Sequence, residues 1–158
     1  MVLDVIVRAA ALIAVLATAV VYGTDVFCAI VLRPALALVD DDAVVVVMGR
    51  VHQYADRRMP VPGVLGVVAA AASAMLATVA AHWAQAIAAG VALVLLLVWL
   101  ALYTKVSAPI NRQLTAAAHL SRRLPEARAL QEKWDSIIGA RATLQGMAVA
   151  ALCVELMI

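Results

Sequence analysis

Apolar residues run along this chain in four long stretches, roughly Asp4 to Leu32, Pro62 to Ala81, Trp83 to Tyr103 and Ile137 to Met157. Each is close to the ~20 residues that an α-helix needs to cross a hydrocarbon core ~30 Å thick. None alternates apolar and polar positions with period 2, which argues against a membrane β-barrel and leaves helices as the way to satisfy the backbone in lipid. The pattern predicts an all-α integral membrane protein: one domain over residues 1–158, a four-transmembrane-helix bundle with amphipathic helical segments in loops 1 and 3. The spans fall at about 4–32, 62–81, 83–104 and 126–157, the last including a stem outside the membrane. A cleavable leader is a poor reading of the first stretch. It has no basic start beyond Arg8, and it stays apolar well past the small residues at Ala17, Thr18 and Ala19.

The polar segments carry their own periodicity. In loop 1, from Arg33 to Met59, Val44, Val47, Met48, Val51 and Tyr54 recur at spacings of three and four, with Arg50, Gln53 and Arg57 off that stripe. Asp40, Asp41 and Asp42 at the start and Arg57 and Arg58 at the end suit a helix dipole, and Pro60 and Pro62 stop the element. Loop 1 is therefore expected to be an amphipathic helix at the membrane interface. In loop 3, from Lys105 to about Asp135, Leu114, Ala117, Leu120 and Leu124 are spaced helically, and Pro125 fits a first helical position. The second span carries Gly63, Gly66, Ala70, Ser73 and Ala77 on one face, suited to close helix packing, and a tight turn near His82 and Trp83 joins it to the third.

Composition agrees: 66% of the 158 residues are hydrophobic and 14% charged, with a mean hydropathy of +1.02. The net charge of +2 matters less than its placement. Loop 1 holds Arg33, Arg50, Arg57 and Arg58, loop 3 holds Lys105, Arg112, Arg122, Arg123, Arg128 and Lys133, and the turn between the second and third spans has no Lys or Arg. The positive-inside rule puts both loops in the cytoplasm and both termini outside, in a multi-pass plasma-membrane protein. The basic residues of loop 3 interleave with Leu and Ala and lack aromatic platforms, which points to lipid headgroups and away from nucleic acid. Cys28 and Cys153 lie in apolar runs with no zinc or redox spacing. Homo-oligomerisation is left open.

Few residues remain to carry chemistry. Asp25 sits late in the first span, where a carboxylate must pair, protonate or line a wet cavity. Arg141 of the fourth span is its natural partner, either as a structural ion pair or as a pocket wall. Trp134, Ile138, Arg141 and Gln145 follow spacings of four, three and four, so an aromatic ring, a cation and an amide share one stripe. Interfacial anchoring and snorkelling are the alternatives for Trp134 and Arg141. His52, with Tyr54, Asp56 and Arg58 nearby, is a candidate general base. Neither His52 and His119 in the loops nor His82 at the opposite turn stands at haem-ligating depth, so no metal or cofactor is expected.

Helix 1 closing on Gly23 and then Arg33-Pro34-Ala35-Leu36, the segment Ala108-Pro109-Ile110-Asn111-Arg112-Gln113-Leu114, and Trp134 followed by Arg141 together resemble the anthrone oxygenase-like membrane family. That family is largely a domain of unknown function, made of four-helix membrane proteins of about this length. Fungal relatives are associated with oxidising anthrones to anthraquinones without metal or flavin. The resemblance implies a membrane-embedded, cofactor-independent enzyme acting on a lipophilic polycyclic aromatic or polyketide-like substrate, with Asn111, Trp134 and Arg141 matched to the family pattern. Where many members place a His or Asn before the Arg, this chain has Ile138, Gly139 and Ala140. The base is then left to His52 or Asp25, with Tyr54 and Gln145 as further substrate-binding candidates. A non-catalytic membrane subunit or lipid-interacting scaffold is the competing expectation.

Overall fold

Seven α-helices and two π-helical turns appear in the computed structural model, which describes residues 2–120 and 124–158. Helix α1 (Val2–Phe27) passes through a π-helical turn (Cys28–Leu32) into the short α2 (Arg33–Leu36). Then come α3 (Asp41–Arg58), α4 (Pro60–Val79), α5 (Trp83–Leu102), a second π-helical turn (Tyr103–Ser107), α6 (Ala108–His119) and α7 (Ala127–Met157). The stretches Val2–Leu36, Pro60–Val79, Trp83–His119 and Ala127–Met157 are long and apolar enough to cross a membrane. The chain is thus an all-α, multi-pass membrane bundle: α1 and α5 each pack on both α4 and α7, closing a ring of four. Arg122 and Arg123 of loop 3 lie outside the described residues.

Small side chains build the middle of the ring. Ala14, Ala69, Ala70, Ala92 and Ala148 pack there with Leu96 and Leu152. Lipid tails are as apolar as leucine, so helices associate in a bilayer through close dispersion contact, which small residues permit. A Cβ on Gly66 would stand 2.7 Å from Thr18 Oγ1 of α1, whereas one on Gly63 would meet the Trp99 ring of α5 at 3.4 Å. The α4–α5 turn runs through Ala81 at φ 58°, a left-handed conformation that costs an alanine roughly 1–2 kcal/mol.

Two helices run further than the sequence pattern predicts. Ends were expected near Leu32 and Thr104, where the apolar runs give way to polar segments, and Pro34 and Pro109 stand close beyond, each lacking an N–H and with a ring that collides with the carbonyl four residues back. The chain instead inserts a wide π-helical turn just before each X-Pro pair. The Arg33 N–H reaches back to the Cys28 carbonyl and the Ala108 N–H to the Tyr103 carbonyl, which opens room for the ring.

Helix α3 starts where the acidic run predicts. Asp40 caps it by accepting from the Ala43 N–H at 2.8 Å, and Arg57 and Arg58 occupy its last turn. Its buried stripe is rotated from the expected one. Val44 and Met48 are buried, but Val47, Val51 and Tyr54 are 44%, 40% and 54% exposed. Val45, Gly49 and His52 take their place inside. The reason is Gly49: a Cβ there would collide with Ala118 Cβ and lie 2.5 Å from the Leu114 carbonyl oxygen. The glycine lets α3 and α6 meet backbone to backbone, and that contact sets the rotation of α3. Val44, Val45 and Met48 of α3 pack with Ile110, Leu114 and Ala117 of α6 and Trp134 and Ile138 of α7, closing one end of the bundle.

The stem of α7 is held at its base. Arg128 donates to Asp41 Oδ1 at 2.9 Å and to the carbonyls of Leu36 and Val39 at 3.0 and 2.6 Å, tying the α2–α3 connection to α7.

Candidate functional site

A cavity of about 160 Å³ lies at the closed end of the ring, lined from α1 (Asp25) and its π-helical turn (Cys28), α3 (Met48, His52, Asp56), α4 (Gly63), α5 and its π-helical turn (Trp99, Tyr103), α6 (Asn111) and α7 (Trp134, Arg141). No single stretch of the sequence supplies this wall. Each long helix contributes a few inward positions.

Asp25 and Arg141 meet as a buried ion pair, 3% and 5% exposed, with Arg141 Nη2 2.8 Å from Asp25 Oδ1. Gln145 lies one turn along α7 and donates to Asp25 Oδ2 at 2.6 Å, while Arg141 Nη1 donates to Ser107 Oγ at 2.8 Å. The guanidinium also meets two π systems: the Tyr103 and Trp134 rings lie 5.5 and 5.4 Å from its central carbon. Removing two charges from water is costly, and this pair offsets that cost with hydrogen bonds and ring contacts.

His52 stands against Trp134, ring centroids 5.5 Å apart. It is 2% exposed, and burial lowers its pKa from 6.5 to about 4, with Asp56 opposing the shift and Arg141 adding to it. At pH 7 it is a neutral imidazole. Asp56 lies one helical turn further on α3. Its Oδ1 accepts from the Tyr103 hydroxyl at 2.9 Å and from Asn111 Nδ2 at 2.8 Å.

Five cavity-lining residues keep a buried polar atom without a hydrogen-bond partner: His52 Nε2, Trp99 Nε1, Asn111 Oδ1, Trp134 Nε1 and Arg141 Nε. Such groups are rare in folded proteins, because each costs on the order of 1–3 kcal/mol when unsatisfied. Here residues that line a single apolar space carry three free donors, one acceptor and one imidazole nitrogen.

Of the residues expected from sequence, the fold brings Asp25, His52, Asn111, Trp134 and Arg141 to one cavity. Gln145 stands behind it, supporting Asp25. Tyr54 is on the outer face of α3, its ring 5.3 Å from the Arg58 guanidinium carbon, and does not line the cavity. His119 is exposed at the end of α6 and does not line the cavity. Among the described residues no cluster of three or more His, Cys, Asp or Glu is arranged to hold a metal ion. Sequence reasoning missed Trp99, Tyr103 and Ser107, and gave Asp56 no role of its own. Tyr103, Ser107 and Asn111 recur every fourth residue through the π-helical turn, a signal hidden by ending the helix near Thr104.

A second polar cluster was also missed. Near the far end of the bundle, buried Glu155 of α7 is hydrogen-bonded to Ser73 Oγ of α4, which also lies 3.3 Å from the Val7 carbonyl of α1. The alanine and leucine layer separates it from the cavity. Comparison with protein-family models, with curated protein sequences and with solved structures returns no match to this chain.

Proposed function

We propose that this chain is a membrane-embedded enzyme that works without a cofactor on a lipophilic aromatic substrate, by oxygenation or a related step begun by proton transfer, such as cyclisation. What supports the reading is the set of five unpartnered polar atoms around one apolar cavity, among them a neutral histidine and a guanidinium held rigid from behind.

The roles follow from the atoms left free. His52 Nε2 takes a proton from an acidic C–H or O–H of the substrate. Negative charge then grows on the substrate oxygen, where the free Arg141 Nε–H and Trp134 Nε1–H meet it. A base with a pKa near 4 holds a proton only while its partner anion is stabilised, so the guanidinium makes the transfer feasible. For an anthrone-type methylene, dioxygen is the oxidant. The carbanion passes one electron to dioxygen, the resulting radical pair combines into a peroxide, His52 returns the proton, and water leaves. In sum, one methylene group and one dioxygen become one carbonyl group and one water. An apolar pocket suits both dioxygen and the aromatic rings. We place the enzyme in the plasma membrane with the cavity at the cytoplasmic end, on the positive charge of loops 1 and 3.

The test is oxygen uptake by protein in nanodiscs given a hydroxyanthrone, against the rate without protein. Turnover is expected to exceed that background, and kcat/KM to be level from about pH 5.5 to 8 and to fall below about pH 4.5 as His52 protonates. Arg141→Ala is expected to lower turnover at least about 100-fold. Full activity in a folded Arg141→Ala protein overturns these roles.

A further inference from the structure

The cavity's polar atoms and size select a ligand more narrowly than the reading above, on which this inference rests, and make a rigid tricycle such as a hydroxyanthrone a weaker ligand than a single ring. Asn111 has two edges, an amide that donates and a carbonyl that accepts. A carboxylate can only accept, so the 2.8 Å contact to Asp56 fixes the amide nitrogen toward Asp56 and leaves Oδ1, buried and unpartnered, on the cavity residue. The Tyr103 hydroxyl donates to the same Asp56 oxygen and holds it in place. Asn111 therefore offers an acceptor, and a ligand must bring a donor to it: a hydroxyl fits, whereas an ether or quinone oxygen sets two lone pairs against each other.

Size and opening narrow the choice further. A closed cavity of ~150 Å³ accommodates one benzene ring, and this one measures about 160 Å³. Its apolar wall also includes Val51 of α3 and Val64 of α4, which are 40% and 60% exposed. Val64 belongs to a membrane-spanning helix, so this side of the cavity opens toward lipid. We infer that the site takes a single-ring phenol carrying an aliphatic tail, with the hydroxyl on Asn111 Oδ1, the ring among Trp99, Tyr103 and Trp134, and the tail leaving past Val51 and Val64. Asp56 acts here as a positioning residue: it lines the cavity too, and its hold on the Asn111 amide decides which edge of Asn111 the ligand meets.

The experiment titrates 3-pentadecylphenol, its methyl ether and 2-hydroxyanthracene into protein in phosphatidylcholine nanodiscs, reading tryptophan fluorescence. Two of the three tryptophans, Trp99 and Trp134, line the cavity. The phenol is expected to bind at least tenfold more tightly than its ether and than the rigid tricycle. Asp56→Ala frees the Asn111 amide to turn, and Asn111→Leu removes the acceptor at similar volume. In either variant the phenol-to-ether ratio is expected to fall to about twofold, through weaker phenol binding in Asn111→Leu and through tighter ether binding as well in Asp56→Ala. Tyr54→Phe, on the outer face of α3 and away from the cavity, is expected to leave the ratio unchanged. Equal binding of phenol and ether in the wild type overturns the proposal, as does a tenfold ratio that survives Asn111→Leu. Tight binding of the tricycle overturns the single-ring part. Because the readout is binding, selective phenol capture without oxygen uptake refutes the catalytic reading alone, and anthrone turnover without phenol selectivity refutes this inference alone.

Discussion

At the scale of single residues, the site is an exercise in burying polar groups one at a time. His52 loses solvent, and its pKa falls from 6.5 in the unfolded chain to about 4 in the fold. The folded-state pKa is the lower one, so the unfolded chain binds the extra proton between those values. Stability is therefore full above about pH 6.5 and declines as pH falls toward 4, by about 2 kcal/mol at pH 5. His52→Gln is expected to lack this step, so its loss of thermal stability in detergent between pH 7 and 5 should be smaller than that of the wild type. The Asp25–Arg141 pair obeys a different rule. Removing one member strands the other's charge, and Asp25→Ala is expected to cost about 3–5 kcal/mol, whereas Asp25→Leu with Arg141→Met should recover most of it. Equal stability of the single and double variants would show that the pair is not what holds α1 to α7.

At the scale of elements, two backbone devices place these side chains. The π-helical turns carry α1 and α5 past Pro34 and Pro109 without ending them, so Ser107 and Asn111 continue the face begun by Tyr103. Gly49 lets α3 settle on α6 and rotates His52 inward. Gly49→Ala has no room for its methyl group. It is expected to destabilise by roughly 1–3 kcal/mol and to expose His52, which a raised His52 pKa in NMR titration would reveal. A pKa still near 4 in that variant would mean that the glycine does not set the rotation. The amphipathic period of α3 was legible in the sequence, but its facing was not. Val, Met and Tyr at helical spacing mark an apolar stripe some way round, and only the α6 contact decides which edge of that stripe is buried.

At the scale of the whole molecule, an alanine-rich interior is surrounded by exposed Val, Leu and Ile on the spanning helices. Such a surface needs acyl chains around it. The protein is expected to stay with the membrane pellet through high salt and alkaline carbonate and to need detergent for release. Recovery in the carbonate supernatant would contradict the spans. The long α7, about 46 Å at the usual rise for its 31 residues, exceeds a hydrocarbon core. At its first turn Arg128 fastens it to the α2–α3 connection.

The sequence by itself determined what composition and period can carry: four spans, an acid-capped helix in loop 1, the pairing of Asp25 with Arg141, and the stripe from Trp134 to Gln145. These follow from local rules, because burial in lipid, helix dipoles and charge desolvation act on residues wherever the chain goes. Tertiary structure alone decided that Asp56 orients Asn111, that Tyr103 and Ser107 belong to the site while Tyr54 does not, and that Glu155 meets Ser73 across the bundle. Each of these depends on the rotation of one helix against another. Such rotations are set by single close contacts such as Gly49 on Ala118, which carry no periodic mark along the chain.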